Sequence, residues 1–167
     1  FPSENRRSQT RTILILAVIP NLKIEQKIET EKELEQWIKD NCYVLGKYGI
    51  NGKTVYEGYG LDFNDGLYEW YYQGERGEKR ALEFFATEKD AVEFAQEKIK
   101  ADPYANSNFI GMIKDKTEIQ SLKSELKRRN VDYWTDEIPY GGINDKRTRF
   151  FVRGCYIKMV TDLIKPK

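Results

Sequence analysis

"LYEWYYQGERGEKRALEFF" (Leu67–Phe85) sets two aromatic arms around a knot of charge, Glu75-Arg76-Gly77-Glu78-Lys79-Arg80. In an extended chain successive side chains point to opposite faces. Tyr68, Trp70 and Tyr72 then lie on one side of the first arm, and Leu67, Glu69 and Tyr71 on the other. On the second arm Leu82 and Phe84 alternate with Ala81, Glu83 and Phe85. A period of two in aromatic-rich segments predicts strands. The stretch therefore reads as a hairpin with one large apolar face for the core. Its other face is amphipathic and rich in Tyr, suited to contact with a partner.

Working outward, Asn51-Gly52 and Asp65-Gly66 are dipeptides that supply positive φ in tight turns. Strands are expected near residues 43–47, 54–60, 67–73 and 80–86, joined as an antiparallel meander. Three segments carry helix-start signals. Thr30 with Glu33 forms a capping box ahead of a helix over about 31–41, whose apolar side is Leu34, Trp37, Ile38 and Cys42. Thr87 caps a second helix with Ala91, Val92, Phe94, Ala95 and Ile99 on one stripe. Thr117 and Gln120 box a third, with Ile119, Leu122 and Leu126 inward and basic residues in its last turn. Strands are also expected at "FIGMI" (109–113), from Val131, and at "RTRFFV" (147–152). "GCYIKMVTDLIK" (154–165) predicts a closing helix with Tyr156, Val160 and Leu163 or Ile164 on one side. The fold class is α+β: a mainly antiparallel sheet with about four helices on one face, one domain over 22–167.

Residues 1–21 stand apart. "FPSENRRSQTR" is basic, and "TILILAV" follows as a short apolar run ended by Pro20. That order resembles a signal peptide, but no small-x-small cleavage site follows. The run is too short to span a bilayer. A buried edge strand is the simpler reading, and an extension before a domain beginning near Leu22 is another. "LKIEQKI" (22–28) alternates as a strand would.

The chain has 167 residues, 28 Lys and Arg against 27 Asp and Glu, and no histidine. Lacking His, it cannot run Ser-His-Asp, Cys-His or His-based nuclease chemistry. Its net charge of +1 argues against a dedicated nucleic-acid binder, whose affinity rests on phosphate neutralisation. Cys42 and Cys155 show no metal-ligand spacing, and free buried thiols in a reducing compartment are expected. No metal or cofactor is implied.

Among candidate sites, Asp62 with Asp65 and Asp136 with Glu137 are carboxylate pairs near aromatics, as a small hydrolase would need. Asp65-Gly66 reads more simply as a turn, and Asp136-Glu137 as a solvated strand end. Glu25-Gln26-Lys27 has the spacing of a metal-nuclease triplet but no preceding Asp. "GYG" (58–60) and "YGG" (140–142) lack the strand–loop–helix context that cradles phosphates. A basic group, Arg128, Arg129, Lys146, Arg147 and Arg149, could form a nucleic-acid face beside Tyr and Trp. The alternative is a helix C-terminus complemented by cations and a charged edge strand.

The segment "YEWYYQGERGEKRALEFFATEKDAVEFA" resembles the small α+β immunity proteins of bacterial polymorphic-toxin and contact-dependent growth-inhibition systems. The likeness is one of texture: an aromatic strand, a Glu-Arg-Gly turn, a second strand and a Thr-capped helix. It implies a cytoplasmic, non-enzymatic protein that covers the active site of a cognate toxin domain, often a nuclease. Inhibitors of nucleases place acidic groups where phosphate would sit. The residues expected at that interface are Asp62, Asp65, Glu69, Tyr71, Glu75, Arg76 and Glu78.

Overall fold

A computed structural model describes residues 27–165; the expectations for the segment before Lys27 lie outside the described residues. The chain runs α1 (Glu31–Asp40), β1 (Tyr48–Gly49), β2 (Gly58–Asn64), β3 (Leu67–Gln73), β4 (Lys79–Phe85), α2 (Glu88–Ala101), β5 (Ser107–Ile113), α3 (Lys116–Arg128), β6 (Tyr133–Pro139) and β7 (Lys146–Arg153). This is the expected α+β class with antiparallel strand pairing. The strands divide into two sheets, of order β1-β2-β3-β4 and β5-β7-β6. Among the described strands only the short β1 pairs in parallel, with β2.

The Leu67–Phe85 hairpin forms as expected, with β3 paired antiparallel to β4. In the turn before it, Asp65 and Gly66 both take positive φ (51° and 84°) and join β2 to β3. That sign at both central positions matches the right-handed twist of the flanking strands. The strand expected at 54–60 begins later, at Gly58, and that expected at 43–47 is a 3₁₀ turn (Leu45–Lys47) leading into β1.

Thr30 caps α1 through the full box, with its hydroxyl accepting from the Glu33 amide and the Glu33 carboxylate accepting from the Thr30 amide. Thr87 caps α2. For α3 the cap is Asp115, not Thr117; its carboxylate accepts from the Glu118 amide at 2.8 Å. Asp-x-x-Glu is itself a good start signal and adds residues to the helix, so it prevails over Thr117 and Gln120.

Each sheet has its own core. The first joins Leu34, Trp37 and Ile38 of α1 to Val92, Ala95 and Ile99 of α2 over Leu61 and Trp70. The second packs Leu122 and Leu126 of α3 on Ile110, Phe150 and Val152. The closing helix forms as 3₁₀ turns, Gly154–Met159 and Thr161–Leu163. Ile157, Val160 and Leu163 reach the second core. Their spacing of three is the period of a 3₁₀ helix, and Tyr156 and Ile164 are left exposed.

The cysteines correct the sequence reading. Cys42 and Cys155 form a disulfide across 113 residues, with Cα atoms 5.0 Å apart. Cys42 takes a left-handed conformation (φ 55°) where α1 ends. Cys155 follows β7, so the bond ties the first core to the second. Nearby, the Asn108 side-chain amide donates to the carbonyls of Cys42 and Gly154 at 3.1 and 3.2 Å. Their distance in sequence concealed the proximity, because the fold alone brings these two chain ends together.

Candidate functional site

The four-stranded sheet has two unlike faces. Tyr59, Leu61, Tyr68, Trp70 and Phe85 point toward α1 and α2, and Trp70 is 2% exposed. Among the described residues no helix lies over the opposite face. Across it, cross-strand register places Asp62 beside Glu69 and Glu69 beside Phe84, a row over three strands. Leu67 and Asp65 adjoin the row at the β2–β3 turn. Phe84 is 55% exposed and Leu67 is also open to solvent.

Tyr71 shares this face but is not available to a partner. It is 1% exposed. Its ring lies where a side chain on Gly60 would stand, and its hydroxyl lies against Gly49. Lys53 O and Val55 N crowd the same spot beside Gly49, and the Lys79 ammonium sits 4.2 Å from the ring centroid. Burial pushes the Tyr71 hydroxyl pKa up, and the nearby Asp62 carboxylate adds to that. Alternation alone predicted an outward Tyr71. The glycines at 49 and 60 create the slot that buries it.

The seven residues expected at the interface therefore do not form one patch. Asp62, Asp65 and Glu69 gather at one end of the sheet. Glu75, Arg76 and Glu78 lie at the far end of the β3–β4 hairpin, six strand residues or roughly 20 Å away. There the turn is closed by Gly74 N–H donating to Glu78 O at 3.0 Å, and the Glu78 carboxylate folds back over Gly74. Within the first group, Asp62 accepts from the Lys79 ammonium at 2.6 Å. That bond raises the Lys79 pKa.

The charge is divided along the chain as the two cores are. Residues 27–106 hold 17 Asp and Glu against 11 Lys and Arg, a net of −6. Residues 107–165 hold 8 against 12, a net of +4. The near-neutral total conceals an acidic half around the four-stranded sheet and a basic half around the other.

The basic residues proposed as a nucleic-acid face are also split. Arg128 and Arg129 end α3. Arg128 is held by Glu125, and Arg129 by Glu125 and by a bidentate contact to Asp162 at 2.7 Å. Arg147 and Arg149 lie on the sheet face away from α3, with Trp134 and Phe151 stacked at 4.2 Å. Lys146 is exposed at the start of the same strand. Arg149 forks onto Asp136, whose carboxyl it holds below the usual range, and Arg147 reaches Asp145 at 3.3 Å. A guanidinium already engaged by a carboxylate, beside rings that stack on each other, is poorly placed to take a phosphate or a base.

The hydrolase pairs fare no better. Asp136 is bound by Arg149, Asp62 by Lys79, and Asp65 makes the turn. Among the described residues no group of three or more acidic or Cys side chains could hold a metal, and no helix is long and apolar enough to cross a membrane.

Sequence reasoning missed one feature. A cleft of about 630 Å³ opens between β2–β4 and the C-terminal half of α2, walled by Tyr48, Tyr59, Trp70 and Phe94. Trp70 and Phe94 read as core, and no local signal announced that they meet Tyr48 and Tyr59. The chain matches no protein-family profile, no curated protein and no solved structure.

Proposed function

We propose that this is a non-enzymatic binding protein that captures a basic protein partner on the open face of its four-stranded sheet. The observation that carries this reading is the row Asp62–Glu69–Phe84 with Leu67 beside it. Carboxylates next to exposed apolar side chains, on a half of net charge −6, suit a cationic protein surface. Within that reading, an immunity protein that neutralises a toxin domain, such as a nuclease, is the specific proposal. A nuclease presents a basic, phosphate-binding surface, and this face would cover it. The interface centres on Asp65, Glu69, Leu67 and Phe84, with Asp62 beside them held by Lys79.

The test is co-expression with the toxin domain encoded beside this chain, reading growth rescue and complex formation. The wild type is expected to rescue, and Glu69→Lys with Phe84→Ala to abolish both. Rescue that survives the double variant, or a neighbouring gene that encodes no toxin, overturns the proposal.

A further inference from the structure

The aromatic cleft lies on the α2 side of the sheet, away from Glu69 and Phe84, and so goes beyond the reading above. Its rings are arranged as faces and edges. Tyr59 stacks on Trp70 with planes 4° apart and centroids at 5.6 Å, and Phe94 meets Trp70 edge-on at 6.3 Å. Tyr59 is 39% exposed, and Tyr72 meets it edge-on with centroids at 5.3 Å. Two carboxylates stand at the wall. Glu83 faces Trp70 across the β3–β4 register, and Asp102 caps the end of α2, where it accepts from the Tyr48 hydroxyl at 3.2 Å. Burial, reinforced by Asp102, raises the Tyr48 pKa and keeps that hydroxyl a donor.

One cation already uses this wall. The Lys98 ammonium lies 4.9 Å from the Phe94 centroid. It belongs to an exposed side chain on the outer part of α2 and can swing away. With it in place, the two carboxylates leave the cleft net negative. An aromatic wall with excess carboxylate is the chemistry that receives an organic cation, and a flat guanidinium can stack as well as pair.

We propose that this cleft receives an arginine side chain presented by a polypeptide. The polypeptide source follows from where the cleft opens. Leu82 and Glu83, which line it, belong to β4, the edge strand of its sheet. A chain lying along that edge can pair its backbone with β4 while it places an arginine into the cleft. Lys98 acts as the occupant that the arginine displaces.

The test is a titration of the full chain followed by NMR at the Trp70 indole, using acetyl-Ala-Arg-Ala-amide and free argininamide. Both probes are expected to shift the Trp70 signal, and the peptide to bind tighter by about threefold or more. Glu83→Gln should weaken the peptide by about three- to fivefold, and Lys98→Met should tighten it by a similar factor. Both positions are exposed, so neither variant threatens the fold. A silent Trp70, weaker binding in Lys98→Met, or equal shifts from an anionic probe such as acetyl-glutamate overturns the cation site. Equal affinity for peptide and argininamide overturns the polypeptide source. Glu69→Lys, which lies on β3 and the opposite face, leaves this titration unchanged, so it can fail or succeed separately from the sheet-face proposal.

Discussion

Reducing the Cys42–Cys155 bond is the most informative perturbation of the fold. The bond closes 113 residues of chain. On the chain-entropy treatment a loop of that size restricts the unfolded ensemble by about 4–5 kcal/mol at 25 °C, and measured losses for native disulfides are about 2–5 kcal/mol. We expect a loss of about 3–4 kcal/mol, a large share of the roughly 5–15 kcal/mol a domain of this size possesses. With a urea slope of about 1.5–2 kcal/mol/M the midpoint falls by about 2 M. The assay is equilibrium urea unfolding of oxidised protein, reduced protein and the Cys42→Ala/Cys155→Ser double variant. A thiol titration of the unfolded, unreduced chain accompanies it. The double variant should match the reduced protein, since the Asn108 amide still joins the Cys42 and Gly154 carbonyls across the seam. Two thiols titrating in the unreduced chain would refute the bond. A midpoint unmoved by reduction would refute the claim that it restrains the chain.

Two further predictions concern the sheet and its support. Glu35 is buried and accepts from Asn51 at 2.9 Å, from Lys39, and from Lys53. These bonds, Asn51 first, hold its carboxyl down to about 2. A depressed carboxylate stabilises above its unfolded value near 4.5 and loses that contribution as pH falls toward 2. The lysines are half in water, so the contribution is discounted to about 1–2 kcal/mol. Glu35→Gln should remove it and flatten the stability profile below about pH 5, measured by urea unfolding across pH; an unchanged slope contradicts the linkage. Gly60→Ala would set a methyl group 2.3 Å from the Tyr71 ring, which is enclosed and cannot retreat. We expect a loss of about 1–3 kcal/mol by denaturant midpoint, partly non-additive with Tyr71→Ala because the smaller side chain removes the clash; a neutral Gly60→Ala refutes the slot.

Local chemistry accounts for what the sequence made legible. Thr30, Thr87 and the Asp65-Gly66 turn satisfy backbone needs within four residues of themselves, so they can be read without the fold. The hairpin arms fell within a residue of their expected ends for the same reason. What could not be read depends on residues far apart. Cys42 meets Cys155 only because α1 and β7 end at one seam. Tyr71 is buried by Gly49 and Gly60, residues chosen for the side chain they lack. Period two assigns Tyr71 to the outer face correctly, but burial on that face is decided by the loop that crosses it. The candidate site was half legible: Asp62, Asp65 and Glu69 do assemble, whereas Glu75, Arg76 and Glu78 share the hairpin and not the patch.

The same distinction limits what net charge says about a surface. A total of +1 weighs against strong electrostatics only if charge is spread evenly. Here the boundary between the cores is also a boundary in sign. A cationic surface approaching the four-stranded sheet meets net negative charge, and the same surface approaching the other half is repelled. At physiological salt such fields are screened over about 8 Å, so they act on the final approach and on orientation. Orientation is what a binding face with a small apolar centre needs. On the proposed reading, Phe84 and Leu67 would supply contact area without direction, and the carboxylates around them would decide which way a partner sits. The basic half would then disfavour the wrong pose, and its own arginines are engaged by Asp136, Asp145, Glu125 and Asp162.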